Sequence, residues 1–155
     1  MEMYIIDDIF TDEEYNVINK TDLDYNTSLF DDVINEDVRK CKQCNIMDDD
    51  VINILRDKIK HISNCINPML RYIKYEKNDY MKLHIDDNYL LDGKYSKYTM
   101  IVYLNTCDSY TTIIDSNYNE INIKAIKGRI LVFDQDLEHK TSTSEIKYII
   151  RTDVY

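Results

Sequence analysis

The spacing of apolar residues changes character near residue 69. Upstream of it, residues 4–10 alternate weakly and end on Ile9 and Phe10, which predicts a short strand. Thr11-Asp12-Glu13-Glu14 has capping-box spacing: Thr11 can accept the backbone N–H of Glu14 while Glu14 reaches back. A short helix should follow, to about Lys20. Residues 21–50 are polar and predict only one strand near Val38. Asp48-Asp49-Asp50 then puts negative charge where a helix macrodipole favours it. Val51, Leu55, Ile59 and Ile62 form one apolar stripe at helical spacing, so a helix is predicted over 49–63, and Pro68 closes the region.

From Met69 onward the pattern is that of strands, predicted over 69–76, 80–85, 97–104, 110–115, 119–125, 129–134, 137–141 and 146–154. Eight short strands after two helices describe an α+β, mainly β chain: a sandwich or jelly roll with the N-terminal helices packed outside. Tyr98 to Leu104 is apolar on both faces, so that strand belongs in the centre, covered on both sides. A length of 155 residues suits a single domain, 1–155, with room for a core.

Charge narrows the partners. A net charge of −10 argues against a phosphate-binding surface and so against nucleic acid, while a basic peptide would be favoured. The start has no basic n-region or apolar h-region, and no apolar run reaches membrane-spanning length, so no membrane association is expected. Four cysteines without an export signal suggest free thiols in a reducing, cytoplasmic setting. The bias toward Ile, Asn, Asp, Lys and Tyr suggests an AT-rich coding genome, as in a virus or parasite.

The candidate chemistry rests on few residues. His84 and Asp86 are two apart, so on a strand they share a face and can grip one ion. Aspartate is abundant here, and the pair alone is a weak signal. His139 follows the apolar strand Gly128-Arg129-Ile130-Leu131-Val132-Phe133, and it can meet the pair only if two sheets fold back on each other. Two histidines and a carboxylate on one face of a metal, with the other positions open, are the ligand set of a non-haem Fe(II) oxygenase. Arg151, in Tyr148-Ile149-Ile150-Arg151, would be costly unpaired and wants a carboxylate. That carboxylate belongs either to a bound dicarboxylate or to the protein, as in Asp153 or Asp134. His61 has no partner at ligand spacing and reads as a surface histidine. Cys41-x-x-Cys44 is half of a zinc site, but Cys65 and Cys107 supply no second pair.

Taken together these segments resemble the Fe(II)/2-oxoglutarate-dependent oxygenases, in their prolyl 4-hydroxylase-like branch. Ile5 to Glu14 is similar to that family's opening strand and first helix, and Tyr72-Ile73-Lys74-Tyr75 to the strand leading into the first iron ligand. Tyr98 to Asn105 resembles its central strand, Gly128 to His139 its last-ligand segment, and Lys147 to Tyr155 its closing strand. The resemblance implies a double-stranded β-helix (jelly roll) with the N-terminal helices outside the major sheet. It implies His84, Asp86 and His139 as Fe(II) ligands and Arg151 with Tyr103 on the distal carboxylate of 2-oxoglutarate. Thr99 and Tyr75 would line the pocket. O2 would be the second co-substrate and ascorbate a candidate reductant. The implied activity is hydroxylation of prolyl residues in a protein or peptide by a monomer or weak oligomer. The alternatives are a decoy that binds a host prolyl hydroxylase or its partners without turnover, and a nucleic-acid demethylase. The acidic loop Asp86-Asp87-Asn88-Tyr89 and the stretch from Asp31 to Asp50 would favour substrates with basic residues near the proline. The sequence departs from the family where Asn78 replaces a glycine, where Met81 replaces an aromatic residue, and at Cys107 to Thr112.

Overall fold

The computed structural model describes residues 2–29 and 34–155. Asp31 and Asp32, at the head of the acidic stretch, lie outside the described residues. In chain order the elements are β1 (Met3–Ile6), α1 (Asp12–Ile18), β2 (Asn26–Thr27), β3 (Arg39–Lys40), β4 (Lys42–Ile46), α2 (Asp49–Lys58), β5 (Leu70–Tyr75) and β6 (Tyr80–His84). They continue as β7 (Leu90–Leu91), β8 (Lys94–Tyr95), β9 (Tyr98–Tyr103), β10 (Ser109–Ile114), β11 (Glu120–Lys124), β12 (Ile130–Asp134), β13 (His139–Thr143) and β14 (Lys147–Val154).

The local signals act as expected. Thr11 caps α1 with both hydrogen bonds of the box in place, and the Asp48 side chain caps α2 through the backbone N–H groups of Asp50 and Val51. The helix predicted to run to residue 63 ends at Lys58. Ile59 leaves helical geometry, and Ile62 and Ser63 turn back onto its carbonyl, which keeps the apolar stripe on the core without helix.

Seven strands form a major sheet in the order β1-β12-β9-β14-β5-β4-β2, and five form a minor sheet, β11-β10-β13-β6-β3. The architecture is the expected jelly roll. Strand β9 lies third in the larger sheet and is covered on both faces. Met100 and Val102 pack with Val51, Ile52 and Leu55 of α2, while Ile101 and Tyr103 pack between the sheets with Ile113 and Phe133. Among the described residues, no helix is long and apolar enough to cross a membrane.

Strand β2, strand β4 and the β7–β8 hairpin escaped prediction. Strand β4 lies beside β5, but its Lys42-Gln43-Cys44-Asn45-Ile46 has no apolar alternation because both its faces are only half-buried. The hairpin of β7 and β8 turns on Asp92 and Gly93, both with positive φ (49° and 77°), as a tight two-residue turn requires. Asn78 has φ 70°. It therefore holds the left-handed conformation that a glycine would supply, and asparagine tolerates it better than most residues.

Candidate active site

The metal-binding geometry begins with an irregularity in β6. His84 pairs with His139 and Met81 with Thr141, so three steps on β6 face two on β13. The extra residue is a bulge, which leaves Lys82 and Leu83 both outward and turns Met81 and His84 both inward. The His84 and His139 rings thereby sit 4.2 Å apart. The strand ends at His84, and Asp86 reaches the same spot from the segment beyond it. Ligand atoms of His84, Asp86 and His139 lie within 4.8 Å of one another, and no other such group of three occurs among the described residues. The four cysteines are free.

Hydrogen bonds fix how these side chains face. Nδ1 of His84 is 2.6 Å from the Lys82 carbonyl, and Nδ1 of His139 is 3.0 Å from that of Leu137. A carbonyl only accepts, so each Nδ1 carries the proton and each Nε2 turns a lone pair inward. Those Nε2 atoms stand 3.3 and 3.4 Å from the Asp86 oxygens. Nitrogen and oxygen lone pairs at that separation repel unless a cation or a proton lies between them. Burial pulls the His139 pKa below its ordinary value, with His84 adding to the shift and Asp86 opposing it, which disfavours the proton. The buried Nε2 of His84 has no hydrogen-bond partner. This donor set fits a divalent metal of the two-histidine, one-carboxylate class.

Asp86 is held from behind. Burial would raise its pKa, but the adjoining His84 and His139 rings and the hydrogen bond from Thr99 hold it below the ordinary carboxylate value. The Thr99 hydroxyl donates to Asp86 Oδ2 at 2.7 Å, and Arg151 Nη2 lies 3.0 Å from the same oxygen. Arg151 Nη2 is also 3.7 Å from Asp153 Oδ1.

Arg151 thus abuts a metal-ligand candidate and a protein carboxylate. A second cation on the same strand face, four residues earlier, is Lys147. It is 1 % exposed, donates to Thr141 Oγ1 at 2.7 Å, and lies 5.2 and 5.7 Å from the ring centres of Tyr75 and Tyr103. Burial pushes its pKa down from 10.5 to about 8, with no carboxylate beside it to compensate. Tyr103 pairs its hydroxyl with Thr111 Oγ1 at 2.6 Å, and burial raises the pKa of both Tyr103 and Tyr75. One narrow pocket is lined by Tyr75, Ile101, His139, Lys147, Ile149 and Arg151 among others. With ≈ 20 Å³ of free space it holds about one water, so a dicarboxylate must displace side chains to enter. A wider hollow of ≈ 680 Å³ lies over Tyr80, Tyr110 and Lys140 on the outer side of the minor sheet. None of the three candidate ligands lines it.

Lys147 escaped sequence reasoning because it opens the strand and looks like a boundary residue. Strand parity would have found it. Lys147, Ile149 and Arg151 share one face, and Lys147 pairs directly with Tyr75.

The sequence matches no family model and no curated protein significantly. Solved structures do match. A Pseudomonas putida prolyl-4-hydroxylase superposes with TM-score 0.77 at 11 % identity, over 97 % of this chain and 90 % of that one. A Trichoplax adhaerens prolyl hydroxylase, in complex with a hypoxia inducible factor peptide fragment, gives 0.76 at 16 % identity, over 99 % and 83 %. A viral collagen prolyl hydroxylase from Paramecium bursaria Chlorella virus-1, in its 2-oxoglutarate complex, gives 0.62 at 18 % identity, over 97 % and 94 %. The fold is therefore the jelly roll seen in prolyl 4-hydroxylases and other 2-oxoglutarate Fe(II) oxygenases.

Proposed function

We propose that this protein is an Fe(II)- and 2-oxoglutarate-dependent dioxygenase that hydroxylates prolyl residues of a protein or peptide. The observation that carries the reading is a three-donor metal site whose two histidines line the same pocket as an uncompensated buried cation, Lys147. His84, Asp86 and His139 would hold Fe(II). Bound there with 2-oxoglutarate, the iron would couple oxidative decarboxylation to succinate and CO2 to oxygen insertion into an unactivated C–H bond.

The chain's own part is positioning. Lys147 and the Tyr103 hydroxyl would receive the distal carboxylate, the role first expected of Arg151. That carboxylate would supply the anion the buried ammonium lacks. Tyr75, Ile149 and Ile101 would pack its methylene stem and exclude water. Thr99 and Arg151 occupy Asp86 Oδ2 and so orient the carboxylate for the metal. Support for a peptide substrate comes from the peptide fragment bound by the Trichoplax hydroxylase.

The test is succinate release with Fe(II) and 2-oxoglutarate over a panel of proline-containing peptides, read together with a mass gain of one oxygen on proline. Absence of 2-oxoglutarate turnover and binding would remove the oxygenase reading. Oxidation of methylated nucleobases alone would overturn the prolyl assignment.

A further inference from the structure

Beside the metal site the wall of the mouth is charged. Arg71 and Arg151 are directly opposed across β5 and β14, a placement that repels on its own. Between them lies one buried carboxylate, Asp153, 3.3 Å from Arg71 Nη2 and 3.7 Å from Arg151 Nη2. Asp153 is already shared with Asn67 and Gln135, at 3.1 and 3.0 Å. Arg151 Nε and Arg71 Nη1 are buried and have no acceptor. Unsatisfied buried donors are expensive, most of all charged ones. The Tyr89 ring lies over the Arg71 guanidinium, its centre 4.8 Å from Cζ.

Charge counting points the same way. With a divalent metal and 2-oxoglutarate bound, Arg71, Arg151, Lys147 and the metal would oppose Asp86, Asp153 and the two co-substrate carboxylates. Over these groups the sum is one positive charge.

We propose that Arg71 and Arg151 form an anion subsite that selects substrates carrying a carboxylate close to the carbon that is oxidised. This rests on the oxygenase reading and refines its substrate. The overall charge of −10 acts at longer range and is screened within about 8 Å at physiological salt, so contacts at the mouth decide the selection. The carboxylate can be a chain terminus or an acidic side chain next to the proline.

The experiment is calorimetric titration of the Mn(II)-loaded protein, with and without 2-oxoglutarate. The probes are N-acetyl-L-proline, its neutral methylamide, and N-acetyl-L-prolyl-L-aspartamide with a free side-chain carboxylate. At least one acidic probe should bind about tenfold or more tighter than the methylamide. Which acidic probe wins tells a terminal carboxylate from a side-chain one. Arg71→Gln should erase that preference while leaving Mn(II) and 2-oxoglutarate affinity unchanged, since Arg71 touches neither end of the co-substrate pocket. Arg71→Lys keeps a charge beside Asp153 without the planar fork and should keep part of the preference, should Arg71→Gln not fold. Equal affinities, no saturable binding of either acid, or a preference that survives both substitutions would overturn the proposal. Failure of the oxygenase reading would show separately, as no uptake of 2-oxoglutarate. A carboxylate preference lost in Arg71→Gln would still establish the subsite.

Discussion

Replacing Lys147 with methionine should make the metal-free protein more stable and weaken its hold on 2-oxoglutarate. The ammonium is 1 % exposed, and burial lowers its pKa from 10.5 to about 8, against a small opposing effect of Cys107. At about 1.4 kcal/mol per pKa unit, keeping it charged costs the folded state roughly 3 kcal/mol at neutral pH. Methionine fills nearly the same volume without that cost. It forfeits the hydrogen bond to Thr141, worth about 1 kcal/mol, so a net gain of about 2 kcal/mol is expected. For a chain of 155 residues that is a rise in Tm of roughly 4–8 °C. Calorimetric melting of metal-free wild type and Lys147→Met measures it directly. The pH dependence carries its own sign. Between about pH 8 and 10.5 the unfolded chain keeps the lysine proton and the folded chain has lost it, so wild-type stability rises with pH there and the gap to Lys147→Met closes. In parallel, 2-oxoglutarate should bind the Mn(II)-loaded variant at least about tenfold more weakly, because a charge-assisted hydrogen bond is gone. A variant that melts lower than wild type, or that binds 2-oxoglutarate unchanged, would refute the reasoning about Lys147.

Three further outcomes are expected. His139→Ala leaves an incomplete facial site, and calorimetric titration should show Mn(II) affinity falling by more than about tenfold; unchanged affinity would remove His139 from the ligand set. Thr99→Val removes the hydroxyl from Asp86 Oδ2 at nearly constant shape, and should weaken Mn(II) by about tenfold while 2-oxoglutarate affinity changes little at saturating metal. Thr11→Ala breaks the capping box of α1 and should cost about 1 kcal/mol in urea denaturation, with metal affinity untouched.

What the sequence determined by itself is everything with a local cause. Thr11 and Asp48 announce both helix starts because a cap is satisfied within three residues. The two-faced apolar run from Tyr98 places β9 inside the major sheet, because a strand buried on both sides has no polar face to show. Strand order pointed to a sandwich or jelly roll and the scarcity of histidine to His84, Asp86 and His139; the resemblance to a known family joined them into one reading. Tertiary structure decided the rest. The bulge in β6 brings His84 against His139, and its cause lies in the pairing with β13, not in residues 80–84 alone. Which cation meets which anion was equally out of reach. Arg151 and Lys147 share a strand face, but Asp86 arrives from another segment to take Arg151, and Tyr75 and Tyr103 close around Lys147 from β5 and β9. A sequence states that a buried charge needs a partner; only the folded sheets set the distances that choose it.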